Sequence, residues 1–231
     1  MKIPGIIGGL GPESTIEYYR LIVAAYRART GDGSYPPMVV NSVNMQRMIR
    51  LITASDFEGL TAFLLEELRR LARAGADFGV LAANTPHIVF PALQQQSPLP
   101  LLSIVEVTCR AAGQMGLKRL GLFGSRFTMA GRFYPDVFAP AGIALVSPTV
   151  AEQTFIHEKY MAELIFGDIR PATRAAFLAI AERMRVEDDI AGLILGGTEL
   201  PLILRDVPGA KMPFLDTTQL HVDAIVEHMI A

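Results

Sequence analysis

The sequence predicts an α/β fold of two pseudo-symmetric lobes, each a mainly parallel sheet flanked by helices, with a ligand site in the cleft between them. Three observations predict it. Short apolar runs that stop at small residues alternate with segments of helical period along all 231 residues. Landmarks recur at matched offsets: from Gly9 to Gly124 is 124 − 9 = 115 positions, and from Ala83 to Gly197 is 197 − 83 = 114. The composition, 51% hydrophobic and 19% charged, excludes a disordered chain and suits a large buried core. The expected lobes are residues 1–103 and 104–212, with 213–231 a closing strand and helix that packs back on the first lobe.

Taken in order, Ile3 to Gly8 reads as a buried strand and Gly8-Gly9-Leu10-Gly11-Pro12 as the tight turn after it. Ser14 or Thr15 is placed to cap the next helix, in which Ile16, Tyr19, Ile22, Val23 and Tyr26 recur at helical spacing. Met38 to Val43 is a second strand, and Asn44 to Ile52 is ambiguous. Ser55-Asp56-Phe57-Glu58 starts a helix that runs to about Gly75. Phe78 to Ala83 is a strand. In Asn84-Thr85-Pro86, Thr85 reads as an N-cap with Pro86 at the first helical position, where its missing N–H costs nothing.

A short strand at Pro98 to Ser103 and a helix over residues 105–116 come next. At Arg119 the plan begins again: a strand ending at Gly124, an aromatic helix with Phe133, Val137 and Phe138, and a strand from Ile143 to Val146. Helices are expected over Glu152 to Phe166 and Pro171 to Arg185, then a strand from Ile190 to Leu195. The strand Met212 to Leu215 and a helix from Asp216 to Ile230 close the chain.

The formal charge of −2, with no long run of one sign, offers no stripe for nucleic acid or anionic lipid. The apolar start is broken by Pro4 and glycines before it reaches the length of a signal-peptide core or membrane span, and the expected location is cytoplasmic. One cysteine, Cys109, excludes an intramolecular disulfide framework and a multi-cysteine zinc site; at mid-helix it reads as packing. His87, His157, His221 and His228 show no HExxH-type spacing, so no metal is expected. Gly9-x-Gly11 follows a strand, but Ser14 stands where a dinucleotide fingerprint has its third glycine, and no Walker motif occurs.

Asn84-Thr85 and Gly197-Thr198 are the better site candidates. Each lies where a buried strand meets a loop, small residues admit a ligand to the backbone, and a threonine hydroxyl can donate to a carboxylate oxygen. Taken singly, each threonine is as readily a plain helix cap; the matched pair favours a ligand. The helix starts behind them are expected to add positive potential. His87 and Glu199, just beyond, are possible acid or base groups, and Arg47 and Lys159 possible partners for an anion.

Four segments carry a family resemblance: Gly5-Ile6-Ile7-Gly8-Gly9-Leu10-Gly11-Pro12-Glu13-Ser14-Thr15, Ala83-Asn84-Thr85-Pro86-His87, Leu122-Phe123-Gly124-Ser125-Arg126-Phe127-Thr128-Met129 and Gly196-Gly197-Thr198-Glu199. In this order and spacing the chain resembles the aspartate/glutamate racemases. The resemblance implies a PLP-independent, cofactor-free isomerase of two α/β lobes, often a homodimer. Such enzymes invert the Cα of a small acidic amino acid with two opposed cysteines, because one base reaches one face only.

By resemblance the substrate is held by Gly9, Asn84, Thr85, Ser125, Thr128, Gly197 and Thr198. The two cysteine positions are Ala83 and Gly197, and neither an alanine methyl nor a glycine hydrogen carries a proton. Two readings are open: a racemase-family enzyme whose proton transfer falls to substitutes such as His87 or Glu199, and a catalytically degenerate protein that binds an amino acid or small carboxylate.

Overall fold

The carboxyl ends of two central strand pairs, β1/β3 and β5/β7, organise the computed structural model, which describes residues 1–205 and 207–231. The strands are β1 (Pro4–Gly8), β2 (Val39–Ser42), β3 (Phe78–Leu81), β4 (Leu101–Leu102), β5 (Arg119–Gly124), β6 (Ala144–Val146), β7 (Gly192–Gly196) and β8 (Phe214–Asp216). The helices are α1 (Pro12–Thr30), α2 (Met45–Thr53), α3 (Phe57–Arg73), α4 (Phe90–Gln96), α5 (Ile104–Gln114), α6 (Arg126–Ala130), α7 (Pro135–Phe138), α8 (Val150–Ala162), α9 (Pro171–Glu187), α10 (Leu200–Leu204) and α11 (Thr217–Ile230).

The strands form two parallel four-stranded sheets, ordered β2-β1-β3-β4 and β6-β5-β7-β8. The two orders are the same pattern four strands apart, which is the repeat expected from the offsets of 115 and 114. In each sheet the order reverses between the first and third strands, so β1/β3 and β5/β7 flank a topological switch point. β1, β3 and β7 are buried along their whole length, as sheets covered on both faces require.

The chain divides into two compact units, Met1–Ile104 with His221–Ala231, and Val105–Leu220. Ile6, Tyr18, Ile22, Phe78 and Val80 share the first core with Val222, Ile225, Val226 and Met229 of α11. The second is built on Phe123, Ile156, Phe177, Leu193 and Leu195. The closing segment does not act as one piece from residue 213. β8 pairs with β7 in the second sheet, Ile194 opposite Leu215, and only the apolar face of α11 enters the first core.

Local chemistry explains where the elements differ from the sequence reading. Neither Ser14 nor Thr15 caps α1: Gly11 holds the cap position and Pro12 the first turn. The Thr15 hydroxyl instead accepts from Gly9 N–H at 2.8 Å and donates to Gly11 C=O at 3.1 Å, tying the glycine turn shut. Gly9 sits at φ +72°, and a Cβ there would lie 2.3 Å from Val43 O, so the turn requires glycine. The ambiguous stretch resolves as α2, which starts at Met45 because the side chain of Asn44, at the cap position, accepts from Gln46 N–H at 2.9 Å. The aromatic helix through Phe133 is broken into α6 and α7, with extended Gly131 ending α6 and Pro135 starting α7.

α8 starts at Val150, two residues before the expected Glu152, because Thr149 and Glu152 form a reciprocal capping box. Arg183 grips the same Glu152 carboxylate at 2.6 and 2.8 Å. Thr149→Ala should lower stability by about 1 kcal/mol, read as a fall in urea midpoint at unchanged slope. No helix of the described residues is long and apolar enough to cross a membrane.

Candidate functional site

The sequence-predicted residues fall into two sets, one per unit. Gly9 follows β1, and Ala83, Asn84, Thr85 and His87 follow β3; Ser125 and Thr128 follow β5, and Gly197, Thr198 and Glu199 follow β7. Within each unit the structure therefore brings its motifs to the carboxyl ends of adjacent strands. Four loops widely separated in sequence converge pairwise because β1 pairs with β3 and β5 with β7.

In the first unit Thr85 is not an N-cap. Asn84 occupies the cap position without a side-chain capping bond, and Thr85–Val89 is a single 3₁₀ stretch that leads into α4. The second loop leads into α10, five residues long. Dipoles of such short elements add little potential, so any anion held here relies on side-chain and backbone donors.

His87 lies under the first loop, 1% exposed and stacked on Phe90 with ring centroids 4.9 Å apart. Its Nδ1–H is shared between Ala83 C=O at 3.1 Å and Asn84 C=O at 3.2 Å, which leaves Nε2 a buried acceptor without a hydrogen-bond partner among the described residues. Burial lowers its pKa to about 4, against the pull of those carbonyls. At neutral pH the ring is a neutral brace for the loop and a weak base. His221 is buried in the same unit: Nε2–H donates to Leu102 C=O at 3.2 Å and Nδ1 accepts the Tyr18 hydroxyl at 2.8 Å. Burial first, then the charge of His87, lowers its pKa to about 3.

In the second unit Ser125 caps α6, its Oγ accepting from Thr128 N–H at 3.3 Å and lying 3.2 Å from the Thr128 hydroxyl. Gly124 pairs with Gly196, and a Cβ on Gly124 would meet Gly196 O at 2.7 Å and Thr128 Cβ at 2.8 Å. Glycines at both strand ends thus let the fully buried Thr128 seat against the backbone.

Gly197 has a neighbour that the sequence reading missed. A Cβ at position 197 would lie 2.6 Å from Cε2 and 3.0 Å from the hydroxyl of Tyr160, a residue of α8. The Tyr160 hydroxyl donates to Glu199 Oε2, and the Thr198 hydroxyl donates to the same oxygen at 3.2 Å. Glu199 is 2% exposed, so these hydroxyls compensate a buried carboxylate. Burial, then the Glu199 charge, pushes the Tyr160 phenol well above its usual range. Tyr160 gave no signal in the sequence because an aromatic at helical spacing reads as core.

The other candidates are engaged elsewhere. Lys159 Nζ lies 2.7 Å from Glu163, whose carboxyl is held below its ordinary range chiefly by Lys159 and Thr173. Arg47 stacks over Phe63 at 4.4 Å. Cys109 is buried, its Sγ 3.7 Å from Val137 C=O and its thiol pushed up by burial, which suits packing.

Two parallel sheets with loops gathered at their switch points define a two-lobed α/β protein of the racemase type. The family profile of the Asp/Glu/Hydantoin racemases matches residues 7–225, and the chain belongs to that family. It is 30% identical to a structure from Yersinia pestis described as a candidate Asp/Glu racemase, at TM-score 0.91 and with 100% of both chains covered. An aspartate racemase homologue from Pyrococcus horikoshii is 29% identical, at TM-score 0.87 over 100% of both chains. A broad specificity amino-acid racemase of Bacillus subtilis is 23% identical over 98% of each chain.

Proposed function

We propose that the protein moves the Cα proton of a small acidic amino acid without PLP or another cofactor. The observation that carries this reading is the convergence, in each unit, of a glycine turn and a threonine loop at the switch point of a parallel sheet, in a chain of the racemase family. The Thr85 hydroxyl and the Asn84 amide are the donors we assign to carboxylate oxygens, with Gly9, Ser125, Thr128, Gly197 and Thr198 shaping the loops around them. A thiol is absent from both strand ends, since Ala83 and Gly197 stand there and Cys109 lies on α5. Proton transfer therefore falls to oxygen or nitrogen groups, and His87, neutral and tied to backbone carbonyls, is the weaker candidate. A cytoplasmic homodimer belongs to the same proposal; its support is the single cysteine and the family resemblance.

The test is α-proton exchange in D2O across both enantiomers of aspartate, glutamate and a panel of other amino acids, monitored by proton NMR. Loss of the α-signal of at least one acidic amino acid is expected. Persistence of every α-signal, with thermal shifts that still report binding, would replace this reading with that of a carboxylate-binding protein.

A further inference from the structure

The place that a side chain at position 197 would take, at the end of β7, is filled by the ring and hydroxyl of Tyr160. We propose that Tyr160, backed by Glu199, is the proton carrier of the second unit. The inference rests on the reading of the protein as a Cα proton-transfer enzyme.

Three observations support it. The phenol oxygen is 3.0 Å from the point where a Cβ would project from Gly197, so it stands within the reach of a short side chain at the strand end. The oxygen is oriented, because Tyr160 donates to Glu199 Oε2 and Thr198 donates to the same atom from the adjoining residue. The arrangement is also more than filling: packing over Gly197 calls for a ring, whereas a phenol set against a buried carboxylate adds a proton path.

The step balances within the dyad. In the resting state Tyr160 is a neutral phenol and Glu199 a carboxylate. As the substrate Cα–H bond breaks, its proton passes to the Tyr160 oxygen while the phenol proton passes to Glu199 Oε2. The electron pair remains on the substrate, delocalised into its α-carboxylate. Tyr160 is again neutral, Glu199 is a carboxylic acid, and one negative charge has moved from enzyme to substrate. Return runs the same path backwards, and exchange of the Glu199 proton with solvent in between carries deuterium in. Burial and the neighbouring carboxylate hold the phenol protonated at neutral pH, so Tyr160 gives up its proton only to Glu199 and only as it accepts one from the substrate. One carrier reaches one face, so exchange with retention in one enantiomer outruns inversion.

The experiment compares the wild type with Tyr160→Phe, Glu199→Gln and a protein carrying 3-fluorotyrosine at position 160. Each is given aspartate or glutamate in D2O, with binding of the same ligand measured by thermal shift. Tyr160→Phe should lower exchange by at least about 100-fold while the ligand-induced shift persists. Glu199→Gln should lower exchange as well. Fluorotyrosine, a stronger acid of nearly the same shape, should change the exchange rate at neutral pH while the ligand-induced thermal shift is unchanged, an effect that a packing role would not produce. Wild-type exchange retained in Tyr160→Phe, or an unchanged exchange rate with fluorotyrosine, would overturn the assignment and leave the function standing. A wild type silent toward every amino acid would overturn both.

Discussion

Gly197→Cys should destabilise the protein by about 1–3 kcal/mol, because the new Cβ would lie 2.6 Å from Tyr160 Cε2 in a close-packed region. The backbone at 197 is not the obstacle, since Gly197 is not among the glycines of positive φ. The obstacle is a ring that cannot swing aside without giving up its hydrogen bond to the buried Glu199. A domain of this size should lose roughly 2–4 °C of Tm per kcal/mol. Tyr160→Ala alone should also be costly, by about 3 kcal/mol or more, as it removes a large buried side chain and the Glu199 partner. Combined, the two substitutions should be less damaging than their sum, with a coupling of about 1–3 kcal/mol. A double-mutant cycle in urea reads this directly, and additive losses would contradict the packing of Tyr160 over Gly197. Placing a cysteine at residue 197 therefore cannot restore thiol chemistry unless residue 160 is made small.

The second large effect is on acid stability. His87 and His221 have folded pKa values lowered from 6.5 to about 4 and about 3, chiefly by burial. Between pH 6.5 and pH 4 the unfolded chain binds protons that the folded chain refuses. Stability therefore rises with pH across this window, and the contribution is fully present above pH 6.5. With both groups neutral in the fold, the slope approaches two protons, about 2.7 kcal/mol per pH unit. Urea midpoints should fall steeply from pH 6.5 towards pH 4. His221→Gln should flatten the fall by about one proton while keeping polar atoms near Tyr18 and Leu102. A midpoint independent of pH in this range would contradict the burial of the two rings.

Much of the fold is legible in the sequence because buried parallel strands are apolar runs and their ends need small residues. β1, β5 and β7 lie within two residues of their expected bounds, and Asp56 marks the start of α3 by its side-chain cap. The order within each sheet is not legible, since pairing β1 with β3 depends on packing between segments some seventy positions apart. The capping box at Thr149 and Glu152 is a T-x-x-E signal that places the start of α8 two residues earlier than apolar spacing does. The four loops of the candidate site are marked by their position after apolar runs. Tyr160 is not: it reaches Gly197 across 197 − 160 = 37 positions, from the buried face of a helix, where an aromatic residue carries no mark of chemistry. The two threonine loops read locally as caps of full helices, the first because Pro86 resembles a first-turn proline, whereas the structure places only a short turn at each.

Proton transfer by a single carrier at the end of β7 is the central claim. Its most direct test records, in one D2O sample of wild-type protein with aspartate or glutamate, both the α-proton signal and the ratio of enantiomers. Washout of the α-proton in one enantiomer, with the enantiomeric ratio unchanged over the same time, is the predicted result. Inversion as fast as washout, or an α-signal that persists in both enantiomers, would contradict it.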